Sequence, residues 1–127
     1  MTDFPDTIAP LTISTGPAVA RGYAELTQDY NPIHLDEEFA RSTAFGRPIA
    51  HGTMALNLVV EAVTRAAGGA FYIADLDIRF TAPTYVGQTL TAVATRQSGA
   101  EYVLETSADD GRVVLKGTAR LAMRVSE

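Results

Sequence analysis

The residues best suited to chemistry lie close together in Asp29-Tyr30-Asn31-Pro32-Ile33-His34, and a second histidine follows at His51. The chain has 2 histidines and no cysteine, which excludes a cysteine nucleophile, a Cys-based zinc site and a disulfide scaffold together. Imidazole, carboxylate, hydroxyl and backbone remain. A carboxylate and an imidazole this close in sequence form a general acid–base pair if the fold lets them meet. In a continuous helix they would not, because five steps of about 100° carry His34 well round the axis from Asp29. Pro32 removes the difficulty. It biases Asn31 away from helical dihedrals, so the chain can turn and return the imidazole to the carboxylate. Asn31 is then placed to hydrogen-bond the turn or to orient the pair.

Plainer readings compete at each position. An aspartate at a helix end followed by Asn-Pro is common turn chemistry. His51, just before an apolar helix, reads as a helix cap or as a satisfied core histidine, so we give it a supporting place around the pair. His34 and Asp36 with Asp29 could mimic a metal cluster, but two histidines without clear ligand spacing do not make one. No metal and no cofactor are expected. Asp36-Glu37-Glu38 is most simply a favourable first helical turn.

The elements that must position these residues change in character along the chain. Ser14 and Thr15 are plausible N-caps, and Pro17 suits a first helical turn, so a helix is expected from about Pro17 to Asp29. A second short helical stretch opens at Asp36 and should end near Gly46-Arg47-Pro48. His51-Gly52-Thr53 leads into a third, about Thr53 to Ala67, that is apolar around most of its circumference and polar only at Asn57, Glu61, Thr64 and Arg65. Such a helix must be buried on most sides, and Gly68-Gly69 ends it. From Phe71 the period becomes two. Tyr72, Ala74, Leu76, Ile78 and Phe80 alternate with charged and polar residues, predicting a strand with one buried face. Further runs surround Leu90, Ala92 and Ala94, then Tyr102 and Leu104. The last joins Leu115, Gly117, Ala119, Leu121, Met123 and Val125 beyond an Asp110-Gly111 hairpin signal. The pattern is α+β: helices followed by an antiparallel meander of four or five strands, curved around one long apolar helix. That description fits the hot-dog fold, although other α+β folds also place a helix on an antiparallel sheet.

Bulk properties narrow the function. The chain is 127 residues long, 46% hydrophobic and 20% charged, which suits a single domain over residues 1–127. Its net charge is −5 and no basic cluster appears, so nucleic acid is not an expected partner. No apolar run approaches the roughly 20 residues of a membrane span. The N-terminus, with Asp3 and Asp6, lacks the basic and apolar regions of a secretion signal, so a cytoplasmic location is expected.

The stretch Tyr23-Ala24-Glu25-Leu26-Thr27-Gln28-Asp29-Tyr30-Asn31-Pro32-Ile33-His34-Leu35-Asp36 resembles the signature of the MaoC-like family, the (R)-specific enoyl-CoA hydratases. Ala50-His51-Gly52 resembles that family's entry into its central helix. The resemblance covers essentially the whole chain. Many members have glycine where this chain has Gln28, a departure that bears on the local turn more than on the chemistry.

The resemblance implies a hydratase that adds water to a trans-2-enoyl-CoA, or to the same thioester on an acyl-carrier protein, and runs in reverse as a 3-hydroxyacyl dehydratase. Asp29 and His34 would hold one water against the β-carbon, and the acidic partner would return a proton to the α-carbon, giving the (R)-3-hydroxyacyl product. The chemistry is consistent with that pair. Full deprotonation of water by an ordinary carboxylate is uphill by about 12 pKa units, or roughly 16 kcal/mol, so the base must act while the C–O bond forms. Gly52, at the helix start, offers a free N–H to the thioester oxygen. Tyr23 and Phe39 read as core packing, or else as lining of an acyl pocket. Arg41, Arg47, Arg79, Arg120 and Arg124 are candidates for CoA phosphates. A homodimer is expected, because a sheet this short leaves an unpaired edge. Two other readings are a non-catalytic acyl-thioester-binding subunit of a hot-dog heterodimer, and a hot-dog acyl-CoA thioesterase.

Overall fold

The computed structural model describes residues 4–124; Asp3 and Val125 lie outside them. One sheet of five strands wraps one face of a long helix, and every strand pairing is antiparallel. The elements run β1 (Thr7–Ser14), α1 (Pro17–Thr27), α2 (Pro32–Leu35), α3 (Glu37–Arg41), α4 (Gly52–Ala67), β2 (Phe71–Phe80), β3 (Thr89–Ser98), β4 (Glu101–Ala108) and β5 (Val113–Met123). The order across the sheet is β1-β3-β4-β5-β2.

Helix α4 packs Ala55, Leu58, Val59, Ala62 and Val63 onto Leu90, Ala92, Ala94, Leu104, Leu115 and Leu121 of the sheet. The small side chains of β3 let the helix lie close. Gly68 ends α4 in the left-handed conformation at φ 54°. Its polar stripe, Asn57, Glu61, Thr64 and Arg65, is exposed as expected.

Four details correct the sequence reading. The meander holds only for β3-β4-β5; β2 crosses to the far edge beside β5. Strand β1 was not anticipated. It buries Ile8 alone and carries Pro10 at the bulge between Ile8 and Leu11, where a missing N–H is tolerated on an edge strand. Ser14 belongs to that strand and caps nothing. The N-cap of α1 is Gly16, and the Thr15 hydroxyl instead donates to the Gln88 carbonyl at 2.7 Å, tying α1 to the loop before β3.

The fourth correction concerns β2. Its expected buried face is broken by a bulge between Ile73 and Asp75. Before the bulge Phe71 and Ile73 face inward; after it Leu76, Ile78 and Phe80 do, opposite Ala119, Gly117 and Leu115. The extra residue reverses the alternation and sends Tyr72 outward. Leu76 and Phe80 face the inner side yet remain 40% and 51% exposed.

Candidate active site

The turn carrying Asp29 is built by an unusual residue. Helix α1 ends at Thr27, not Asp29, and Gln28 adopts the left-handed conformation at φ 60°, unique to it among the described non-glycine residues. The N–H groups of Gln28 and Asp29 both return to the Ala24 carbonyl, closing the helix end. This conformation suits glycine best, which gives a physical reason for glycine at this position elsewhere in the resembling sequences. Here the Gln28 side chain donates to the Glu25 carbonyl at 2.7 Å and offsets part of the cost.

Asn31 then opens α2 as its N-cap. Its side chain accepts from the Ile33 N–H at 3.0 Å, its own N–H reaches the Asp29 carboxylate at 3.3 Å, and Pro32 takes the first helical position. Asn31 therefore shapes the turn, and its backbone carbonyl accepts from the His34 N–H at 3.0 Å. One turn of α2 carries His34 back to Asp29, with Nε2 3.7 Å from Oδ2. His34 Nδ1 donates to the Ile49 carbonyl at 2.7 Å. A carbonyl only accepts, so the proton of a neutral ring sits on Nδ1 and Nε2 presents a lone pair toward the carboxylate. Two acceptors then face one point, too far apart to bond each other.

His51 sits at the N-cap position of α4 but makes no capping hydrogen bond, which corrects the capping alternative. The residue is 4% exposed, and its ring reaches across to the turn after α1, donating from Nε2 to the Asp29 carbonyl at 3.0 Å. It stacks on His34 with centroids 3.8 Å apart. Its Nδ1 is buried without a hydrogen-bond partner among the described residues.

The segment Pro48–Ala50 is what clamps these pieces together. Ile49 N–H bonds the Ile33 carbonyl, Ala50 N–H bonds the Thr84 carbonyl, and Val86 N–H bonds the Pro48 carbonyl. The His34 turn is thereby fastened to the loop that follows β2.

Asp29, His34 and His51 bring one oxygen and two ring nitrogens within 4.8 Å of one another, the set that could hold a divalent cation. His51 could join it only by surrendering its bond to the Asp29 carbonyl. The hydrogen bonding as it stands suits proton transfer instead.

A cleft of about 370 Å³ opens beside His34, walled by Ile49, Gly52, Ala55, Phe80, Pro83 and Val114 among others. It is mostly apolar and large enough for part of a small ligand. Gly52 is the first residue of α4, where a helix N–H lacks an intrahelical partner. Phe80, on the far edge strand, closes over it at about 3.8 Å from where a β-carbon would stand. On the other side of α4 a pocket of about 280 Å³ is lined by Leu11, Ile13, Tyr23, Met54 and Leu58. Tyr23 is therefore pocket lining rather than core. Its hydroxyl accepts from Asn57 at 2.6 Å and pairs with the Thr53 hydroxyl at 2.8 Å, and its ring leans on His51 at 5.0 Å. Asn57 and Thr53 were missed because exposed polar residues on a helix ordinarily mean solvent. Phe39 is 45% exposed and packs in no core.

A five-stranded sheet curved round one long helix, with a carboxylate and two imidazoles gathered at that helix's start, defines a hot-dog protein. The chain belongs to the family described as "MaoC like domain", whose profile matches residues 2–116. Among curated proteins it is 36% identical over 86 residues to an (R)-specific enoyl-CoA hydratase of Aeromonas caviae, covering 66% of this chain and 63% of that one. It is 47% identical over 68 residues to a 3-hydroxybutyryl-CoA dehydratase of Methylorubrum extorquens, covering 52% of this chain and 43% of that one. The match thus spans less than two thirds of either relative. Among solved structures, an (R)-hydratase from A. caviae involved in PHA biosynthesis superposes with a TM-score of 0.77 at 29% identity, covering 91% of this chain and 93% of that one. Among the described residues no helix is long and apolar enough to cross a membrane.

Proposed function

We propose that this chain adds water to a trans-2-enoyl thioester, with CoA or an acyl-carrier protein as the thiol, and forms the (R)-3-hydroxyacyl product reversibly. The observation that carries this reading is the Ile49 carbonyl on His34 Nδ1, which keeps the Nε2 lone pair turned toward the Asp29 carboxylate. A water seated between them donates one hydrogen to each acceptor and turns its own lone pair outward. In the forward step its oxygen bonds the β-carbon while one of its protons passes to the pair. The electron pair of the C=C bond shifts toward the thioester oxygen, where the Gly52 N–H receives the charge. A proton from the pair then bonds the α-carbon, so the substrate gains H and OH and the pair is left as it began. Removal of water follows the same path backwards. Asn31 shapes the turn and His51 steadies the Asp29 backbone.

The activities for which these relatives are named support this reading. The assay is crotonyl-CoA hydration, followed by loss of the enoyl absorbance, release of free thiol and chirality of the product. The expected result is absorbance loss without thiol release and an (R) product. A mainly (S) product would refute the stereochemical assignment, thiol release would favour the thioesterase, and no turnover at all would favour a non-catalytic subunit.

We also propose that the single domain works as a homodimer. Strand β2 is an unpaired edge that presents Leu76 and Phe80, 40% and 51% exposed, on the inner side of the sheet. A second copy would cover both edge and apolar face. Sedimentation at micromolar concentration should show a dimer. A fully active monomer would contradict the proposal.

A further inference from the structure

The chain is acidic overall, with 15 Asp and Glu against 10 Lys and Arg, so a phosphorylated ligand depends on a local cation that is not already neutralised. The arginines differ sharply in this respect. Arg41 is paired with Glu37 at 3.6 Å and Arg120 with Asp75. Arg124 lies over the Tyr72 ring and lines a separate pocket with Ala67 and Gly69 at the far end of α4. Arg79 lies opposite Lys116, on the face of β2 away from the cleft. Arg21 lines a recess of about 120 Å³ behind His34 whose wall also carries Glu37.

Among these arginines, Arg47 combines exposure, freedom from an acidic partner and a place on the segment that walls the cleft. It is exposed and has no acidic partner at ion-pair distance among the described residues. It stands between Phe45 and Ile49, which both line the cleft that His34 opens onto. Its guanidinium lies 4.4 Å from the centre of the Tyr85 ring, so the plane is held while its N–H groups stay available at the edge. Tyr85 is itself fixed. Its backbone pairs with Ile49, its N–H donates to Gln88 Oε1 at 3.0 Å, and Arg112 lies over the same ring at 5.0 Å. Arg112 cannot serve the ligand in Arg47's place. It is spent on the Pro83 carbonyl, on Gln88 and on Asp110, and its hydrogen bond holds the Asp110 carboxyl down to about 2. Tyr85 is thus a seat with one arginine built into the scaffold and one free.

We propose that Arg47, seated on Tyr85, is the anion-binding residue of this site and takes a phosphate of the pantetheine-bearing thioester carrier. The inference rests on the thioester reading above and specifies which cation anchors the substrate. A guanidinium meets phosphate through two parallel N–H donors, an arrangement lysine does not reproduce. The link from Arg47 to His34 is spatial and runs through Ile49, whose carbonyl holds His34 and whose backbone pairs with Tyr85.

The test compares wild type, Arg47→Gln, Arg47→Lys and Arg79→Gln, beginning with equilibrium binding of CoA, which needs no turnover. Arg47→Gln should weaken CoA binding and raise KM for crotonyl-CoA by about tenfold with kcat held. Arg47→Lys should recover part of the loss, and Arg79→Gln should change neither. With crotonyl-pantetheine, which lacks phosphate, Arg47→Gln should match wild type. With crotonyl-4′-phosphopantetheine, a retained penalty names the phosphate shared with a carrier protein, and a lost penalty names the phosphates of the nucleotide; either outcome supports the proposal. CoA binding unchanged in Arg47→Gln, or an equal loss with the phosphate-free thioester, would overturn it. CoA binding that depends on Arg47 in a protein that hydrates nothing would sink the hydratase reading and leave this one standing.

Discussion

Asp29→Asn is expected to lower turnover of crotonyl-CoA by at least about 10²–10⁴-fold, the usual contribution of a positioned proton acceptor, while melting temperature and substrate binding barely move. Asparagine is nearly isosteric with aspartate. It keeps an oxygen for the Asn31 N–H, and the backbone carbonyl that holds His51 is untouched. If Asp29 only shaped the turn, the variant would remain active, because asparagine suits turns as well. His34→Ala should cost a similar factor in rate. It should also cost stability, on the order of 1–3 kcal/mol, because it strips the Ile49 carbonyl of its donor. The double variant should lose far less than the product of the two single losses, since both groups act on one water. Pure Asp29→Asn protein retaining more than about a tenth of wild-type turnover would contradict the role assigned to the carboxylate.

The second large effect lies far from any chemistry. Gly117 in β5 pairs with Leu104 on one side and Ile78 on the other. A β-carbon there would collide with the Asp77 carbonyl oxygen and stand 2.8 Å from the Ile78 α-carbon. Both are backbone atoms, so relief requires the β2–β5 pairing itself to shift. Gly117→Ala should therefore destabilise by about 3 kcal/mol or more, at or beyond the upper end of ordinary overpacking, and lower the melting temperature by roughly 10 °C. Gly22→Ala is the matching control. That position lies inside α1 with nothing within 4 Å of an added carbon, and alanine there should stabilise by about 0.5–1 kcal/mol. A thermal melt of both variants decides the matter: Gly117→Ala melting with wild type would show that β2 and β5 can part locally without cost.

What could be read from the sequence tracks how strongly burial constrains each element. Helix α4 was legible almost to the residue, because a helix covered by a whole sheet must be apolar wherever it is covered. Strands β3, β4 and β5 followed for the same reason: the sheet's middle is buried on one face, and Leu90, Ala92, Ala94, Tyr102, Leu104 and Leu115 cannot be polar. The edges were not legible. Strand β1 needs only Ile8 inside, so Pro10 and four hydroxyl residues between Thr7 and Thr15 disguise it as a loop. In β2 the residue alternation is regular, but a bulge is a property of the pairing, and nothing local in Phe71–Phe80 announces where β5 will skip a residue.

Near the candidate site, the meeting of Asp29 and His34 could be anticipated because Pro32 restricts the chain whatever surrounds it. The partners that orient the pair could not. The Ile49 carbonyl and the Asp29 carbonyl are backbone atoms, present in every residue and invisible as residue types. The seat at Tyr85 joins Arg47 to a tyrosine that arrives one helix and one strand later, and no spacing rule relates them.

The position of β1 carries a consequence for how the molecule is made. Its partner is β3, with Thr7 opposite Thr95, and β2 likewise waits for β5, with Phe71 opposite Met123. The residues proposed to carry the chemistry, from Asp29 to Gly52, are synthesised between the two halves of the first of these pairings. On a ribosome, α4 emerges with its apolar surface complete while β3, β4 and β5, which will cover much of it, have yet to emerge. Pairings of such long sequence separation also slow the search for the native state once the chain is free. The half-made protein is therefore a sticky amphipathic helix trailing an unpaired strand, and the interval before β3 appears is when a newborn chain most needs shielding from its neighbours.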